Sequence, residues 1–252
     1  MRLLAFETAT RHLSVALWQD GEVLERCEVL PNSGGERLLP WVHELLAEAS
    51  ISLPQLDGIA FGAGPGGFTG LRLACGVTQG LAFGMDIPVV PVSTLQALAL
   101  ASGEQFVWTC LDARMNEVYC AAYEVAGGTV HEVSKPACSP YGGEAGNSQS
   151  TALRLRSGLA VQSQHCIQAP TGEGYVGVGD GFASYGDALR ARKPDILRLM
   201  PDVYPTAAAV ARLAAPVLAR GEGINAAAAQ PIYVRDKVAM TTVERLAQGG
   251  SK

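Results

Sequence analysis

Two acids and two glycine-rich turns are the groups whose types and spacing could do chemistry in this chain. Glu7 ends a strand-like run that starts at Arg2, and Asp112 ends the later apolar run Phe106–Leu111. A carboxylate at a strand end can hold a metal-bound phosphate while the backbone N–H groups of a glycine loop wrap the remaining oxygens. Gly64, Gly66, Gly67 and Gly70, with Phe68 and Thr69 among them, form one such loop; Gly179 and Gly181 form a second. Each loop follows an apolar strand and precedes a helix, so backbone donors and the positive helix end converge on one concavity. The Thr69 hydroxyl is placed to cap the first of these helices. This geometry suits an anion, and it equally suits a tight turn that only reverses the chain. The first loop is not a Walker A sequence, since no Lys-Ser or Lys-Thr follows its last glycine. Its glycines also miss the G-x-G-x-x-G spacing.

Other chemistries find no support in the pattern. His12, His43, His131 and His165 lie far apart, and none forms the i, i+4 pair that sets two imidazoles on one helical face. No protein-made metal site is expected. No G-x-S-x-G elbow occurs, so a hydrolase has no visible nucleophile. The six cysteines show no C-x-x-C spacing and several lie in apolar runs, which reads as reduced core thiols in a cytoplasmic protein.

The chain of 252 residues is 48% hydrophobic and 17% charged, a balance that asks for deep burial, a partner surface or both. A net charge of −5 excludes the sequence-independent electrostatic grip of nucleic-acid binders. Arg190, Arg192, Lys193 and Arg198 read as a solvated face; if RNA takes part, another chain holds most of its phosphates. Met1–Phe6 is too short to be a signal peptide, and no uncharged window reaches membrane length without proline or glycine.

The elements that must position these groups follow from periodicity. Arg2–Glu7, Leu13–Trp18 and Glu22–Leu30 read as strands, the last two joined by an Asp20-Gly21 hairpin turn. Glu36–Ser50 switches to a helical period, with Leu38, Val42, Leu45 and Ala49 in one stripe widened by Leu39 and Leu46. Leu56–Phe61 leads into the first glycine loop and a helix carrying Gly76, Gly80 and Gly84. Each such glycine costs roughly 1 kcal/mol relative to alanine in a helix interior, so the stripe implies close packing, within the fold or against a second protein. Pro88–Val92 and a helix over Thr94–Ser102 follow. Phe106–Leu111, Val118–Tyr123 and Thr129–Val133 then repeat the opening three strands. Tyr175–Val178 leads into the second glycine turn and a helix near Ser184; Thr206–Arg220 is an alanine-rich helix, and Pro231–Val238 an extended tail. This recurrence predicts an α/β protein with two halves, 1–103 and 104–252, and a Ser/Gly/Gln-rich insertion at 139–172.

Five segments carry a resemblance. They are Phe6-Glu7-Thr8-Ala9-Thr10 with Leu13–Leu17, Gly64–Arg72, Asp112-Ala113-Arg114-Met115, Glu117-Val118-Tyr119, and Tyr233-Val234-Arg235. Together they resemble the bacterial TsaB (YeaZ) family over most of the chain outside 139–172. The resemblance implies a duplicated actin/Hsp70/sugar-kinase-like (ASKHA) fold with two βββαβα-type halves. It implies a role in forming N6-threonylcarbamoyladenosine (t6A) at position 37 of tRNAs that read ANN codons. In that role the chain is the non-catalytic partner of the paralogue TsaD, and a TsaE-type ATPase joins the pair. Thr94 and Leu98 stand where the catalytic paralogue carries a His-x-x-x-His metal motif, so neither a catalytic residue nor a metal is expected here. Two departures stand out: Glu7 replaces the usual Asp, and Ser33-Gly34-Gly35-Glu36-Arg37 lacks the family's His-Ser before Glu-Arg.

The expected partner surface is a helix pair, Leu38, Leu39, Val42, Leu45 and Leu46 from one helix and Arg72, Cys75, Gly76, Gln79, Gly80 and Phe83 from the other. The candidate anion or nucleotide groups are Glu7, Gly64, Gly66, Gly67, Phe68, Thr69, Gly70, Asp112, Gly179 and Gly181. The chain itself is expected to require no cofactor, with ATP or ADP and Mg²⁺ entering at the level of the complex. Contact with tRNA is expected to be indirect, and the same surface could pair two copies of the chain when it is alone. The rival reading is a stand-alone nucleotide-binding ATPase or phosphotransferase of the same fold.

Overall fold

The structure, a computed structural model, describes residues 1–29, 35–140 and 169–234. Expectations for Ser33, Gly34, Arg235 and the greater part of 139–172 lie outside the described residues.

Strands β1 (Arg2–Glu7), β2 (His12–Gln19) and β3 (Glu22–Val29) form an antiparallel meander, and β4 (Gly58–Gly64) and β5 (Val89–Ser93) extend it in parallel, in the order β3-β2-β1-β4-β5. The second sheet repeats that order with β6 (Phe106–Arg114), β7 (Glu117–Ala126) and β8 (Thr129–Glu132) as the meander. β10 (Val176–Val178) and β11 (Leu199–Met200) extend it in parallel, and β9 (Ala137–Pro140) pairs with β7. The repeat seen in the sequence is therefore a repeat of topology. Ser139 belongs to β9, so the expected insertion does not begin there. β6 runs two residues past Asp112, which places that acid inside a strand, whereas Glu7 ends one.

Helices α1 (Gly35–Glu48) and α2 (Phe68–Met85) cover one face of the first sheet. Leu38, Val42, Leu45 and Leu46 are buried there against Leu4, Phe6, Val15 and Phe61, all in one apolar cluster. This corrects their assignment to a partner surface: a periodic apolar stripe marks the face toward the sheet, and of that set Leu39 remains exposed. The other face of the first sheet is covered by α5 (Ala207–Ala219) from the second half. Its alanines pack on Leu3, Ala5, Ala16, Ala60 and Val90. Reciprocally, α3 (Thr94–Ser102) sets Leu95, Leu98 and Ala99 against Val107, Leu111, Ala121 and Tyr123 of the second sheet, whose opposite face receives α4 (Gly181–Arg192). Each sheet thus buries one face under a helix from the other half. A division at residue 103 follows the sequence repeat, while the packing crosses it twice.

The start of α5 shows how the halves are joined. The backbone N–H groups of Ala207, Ala208 and Ala209 donate to Ser14 Oγ (2.8 Å), Glu25 Oε1 (2.8 Å) and Thr206 Oγ1 (3.1 Å). Two of those three acceptors come from the first sheet. Donors at a helix start have no intrahelical partner, so first-half side chains satisfy what the second-half helix leaves open.

Candidate functional site

Glu7 ends β1 with its side chain fully buried, at 0% exposure. Its Oε1 accepts a hydrogen bond from Ala9 N at 2.7 Å, and Oε2 accepts from Thr94 Oγ1 at 3.3 Å. Burial pushes its pKa up to about 7, partly opposed by the hydrogen bonds from Ala9, Thr94 and Thr8. A Cβ on Gly62 would overlap its carboxyl group, so only glycine on β4 leaves room for the acid.

The first glycine loop closes over the turn that follows Glu7. Gly67 N donates to Ala9 O at 2.7 Å, and Thr8 Oγ1 donates to Gly70 O at 2.6 Å. A Cβ on Gly66 would stand 2.6 Å from Ala9 Cβ, and one on Gly70 would overlap Thr8 O. Gly64, at φ +116°, lies under Ile232, whose N–H donates to Ala63 O at 2.6 Å. The α2 cap is Gly67, with no side-chain hydrogen bond, so Thr69 does not cap this helix. The glycines exist because two backbones meet here. At this loop the acid is sealed, the Gly67 donor is already used, and Gly66 and Gly70 pack against backbone.

In the second half, Gly179 (φ +110°) and Gly181 do the corresponding work against Cys110 O, which a Cβ on Gly181 would approach to 2.9 Å. α4 begins at Gly181, three residues before Ser184. Asp112 has a partly exposed side chain. Its Oδ1 accepts from Arg114 N at 2.7 Å and from Tyr185 OH at 3.2 Å, and its own N–H donates to Asp180 Oδ1 at 3.0 Å. Burial, then the Asp112 charge, raises the Asp180 pKa, opposed by the hydrogen bond from Asp112 N and by Arg11 and Arg114. Glu7 and Asp112 thus occupy similar places in two sheets, the first sealed and the second partly exposed. Across the seam, Arg11 donates to Tyr204 OH at 2.8 Å, and the His12 ring stacks on Tyr204 with centroids 3.3 Å apart. That latch carries no sequence signal, because no local period links residues so far apart.

The outer face of α2 is open. Phe83 is 77% exposed and Phe68 50%, and a Cβ added at Gly76, Gly80 or Gly84 would meet nothing within 4 Å. The Arg72 guanidinium lies 3.7 Å over the Phe68 ring, and Nε donates to Tyr233 OH at 3.3 Å. Cys75 and Gln79 instead point inward, donating to Ala229 O at 3.5 and 3.1 Å, so they tie down the tail. A cavity of about 380 Å³ opens between Arg72, Gly76, Gln79 and the tail residues Gln230, Pro231 and Tyr233. The tail contribution carried no sequence signal beyond the Tyr233-Val234 motif.

Among the described residues, no group of three or more His, Cys, Asp or Glu side chains is placed to hold a metal ion, and no helix is long and apolar enough to cross a membrane. Thr94 and Leu98 are both fully buried.

The duplicated sheet order with exchanged helices defines an ASKHA-type protein, and a family model described as TsaD, tRNA N6-adenosine threonylcarbamoyltransferase, matches residues 33–243. The Escherichia coli (strain K12) tRNA threonylcarbamoyladenosine biosynthesis protein TsaB is 34% identical over 95% of this chain and 96% of its own length. The TsaB of Haemophilus influenzae is 38% identical over 68% of this chain and 78% of its own. The solved structure of YeaZ from Pseudomonas aeruginosa superposes with a TM-score of 0.74 at 35% identity, covering 92% of this chain and 99% of that one. The chain belongs to the TsaB (YeaZ) family.

Proposed function

We propose that this chain acts in t6A biosynthesis as the non-catalytic docking and activating subunit for a TsaD-type catalytic paralogue. The observation that carries the reading is the open face of α2. Phe68, Phe83 and three glycines face solvent with Arg72 as the charged group among them, although each exposed glycine weakens the helix by roughly 1 kcal/mol. Nothing among the described residues uses that sacrifice, whereas a second helix could approach closely along the glycines. The names of the relatives and the TsaD-type family match support the choice of partner. Buried Thr94 and Leu98, in place of metal-binding histidines, support leaving the transfer chemistry to that partner. A TsaE-type ATPase joins the pair, and the tRNA is held chiefly by the other subunits.

The test is heterodimer affinity by light scattering and calorimetry, with wild type and Gly80→Leu. The expected result is a folded variant whose affinity for the paralogue drops at least about tenfold. Unchanged affinity would remove α2 from the interface. Calorimetry of the chain alone with ATP and Mg²⁺ is expected to be silent; binding accompanied by turnover would favour a stand-alone ATPase or phosphotransferase.

A further inference from the structure

We infer that Glu7 is a positioning residue: its carboxyl group anchors the Thr8–Ala9 turn on which the first turn of α2 rests, and through it the side chains that α2 offers a partner. Only the last of these links depends on the docking role proposed above.

The links are short and directional. Glu7 Oε1 holds Ala9 N at 2.7 Å, and Ala9 O in turn holds the N–H of Gly67, the α2 cap, at 2.7 Å. Thr8 Oγ1 holds Gly70 O at 2.6 Å, one helical turn in. The contact is too close for any side chain at Gly66 or Gly70, so the turn and the helix start cannot shift independently. Phe68 and Arg72 stand on this first stretch of α2, stacked on each other and tied to Tyr233. A displacement of Ala9 therefore reaches the exposed ring and guanidinium through two hydrogen bonds and one close backbone contact.

Glu7 is also placed to make that anchor depend on pH. Among the described residues no charged side chain acts on its carboxyl group: Ala9 and Thr8 supply backbone amides, Thr94 a hydroxyl at the start of α3, and Gly62 of β4 bare backbone. Arg11, the nearest cation along the chain, donates to Tyr204 OH instead. Burial without a counter-charge penalises the carboxylate by more than the three donors at Ala9, Thr8 and Thr94 return, so the neutral form is favoured. With the folded pKa raised from 4.5 to about 7, the stabilisation carried by the neutral form is complete below about 4.5 and is lost as pH rises through about 7.

The experiment is amide hydrogen exchange of the isolated chain at Gly67 and Leu71, corrected for intrinsic rates and followed from pH 5.5 to 8.5. The expected wild-type result is a fall in protection of at least about tenfold between pH 5.5 and about 7, levelling off at higher pH. Glu7→Gln, whose amide keeps one acceptor and one donor, is expected to retain protection and to lose the pH dependence. Thr94→Val removes a donor to the ionised form, so its transition is expected at higher pH than in wild type. A flat wild-type profile, or a Glu7→Gln profile that still titrates like wild type, overturns the positioning role. If Glu7→Gln does not fold, an unshifted transition in Thr94→Val overturns it instead. Partner affinity measured over the same pH range separates the two readings. Amides that titrate beside a constant affinity leave Glu7 as the anchor of α2 and sink the docking face.

Discussion

The two halves share one strand order and differ in what they do with their acids. In the first, Glu7 has no exposed surface, no ion pair among the described residues and a glycine loop folded down on the turn beyond it. In the second, Asp112 keeps 12% of its side chain exposed and pairs with Arg114 at 3.3 Å, with Tyr185 and Asp180 around it. Strand order fixes where an acid can stand; what covers it decides whether it is a charged group or a structural one. The helices that follow the two glycine turns differ in the same sense. α2 has 18 residues and carries Arg72 as its charged group, whereas α4 has 12, ends in Arg190 and Arg192, and leaves helical geometry at Tyr185. The half that buried its acid is the half whose long apolar helix leaves its outer face to solvent.

The largest expected effect separates the two glycine turns from ordinary helical glycines. Gly70→Ala would drive a Cβ into the Thr8 carbonyl, backbone against backbone, and should cost about 4 kcal/mol or prevent folding. Gly186→Ala in α4 places its Cβ at an ordinary 3.7 Å from Leu199 and should be neutral or stabilising by up to about 1 kcal/mol. Urea unfolding of the pair measures both, and similar costs would mean that the closure over Thr8 is not as tight as described. The next effect tests the contrast between the acids. Neutral Glu7 is favoured in the fold, so wild type should lose about 3 kcal/mol of stability between pH 4.5 and neutrality, since a shift from 4.5 to about 7 is worth roughly that much. Glu7→Gln should therefore match wild type at low pH and exceed it by about 3 kcal/mol at pH 8. Equal pH profiles for the two proteins would show that Glu7 is ionised at no cost.

Much of this frame was legible along the chain. β1 and α3 begin and end at the residues their periods indicated, and the recurrence of three strands, a glycine turn and a helix became two sheets of identical order. What local pattern could not supply was the direction of a surface. The α1 stripe of Leu38, Val42, Leu45 and Leu46 has the spacing of any contact face, and only the sheet beneath it shows that the contact is internal. Thr69 has the right chemistry for a cap, but the cap position depends on the backbone at Gly67 and on Ala9, distant in sequence. The alanine-rich α5 was legible as a helix, yet no period states which sheet it covers. The candidate anion groups meet the same limit. Glycines that admit a phosphate and glycines that admit a neighbouring backbone look alike until the neighbour is known.

A smaller effect probes the seam between the halves. Ser14→Ala leaves the buried N–H of Ala207 without its acceptor, and Glu25→Ala does the same to Ala208; each should cost about 1–2 kcal/mol. Thr206→Ala removes an acceptor from within the second half at similar cost. The discriminating quantity is whether the first two also loosen α5 from the first sheet, read as faster amide exchange through Ala207–Ala219 at unchanged exchange in α4.

The smallest effect on stability is the most informative about function, because its sign opposes the expected effect on binding. Gly76 and Gly80 sit mid-helix with nothing within 4 Å of an added Cβ, so alanine at either should stabilise the isolated chain by about 1 kcal/mol through helix propensity. Nothing among the described residues uses these two positions on one face, and a partner helix would account for them. If a partner helix lies along these glycines, the added methyl groups separate the two backbones, and the same variants should bind the paralogue more weakly while melting at higher temperature. Covariation in that opposed sense places the interface on α2. A rise in melting temperature with unaltered binding would leave the glycines unexplained and move the search to Phe68, Arg72 and the tail, where the cavity of about 380 Å³ offers a partner its next point of entry.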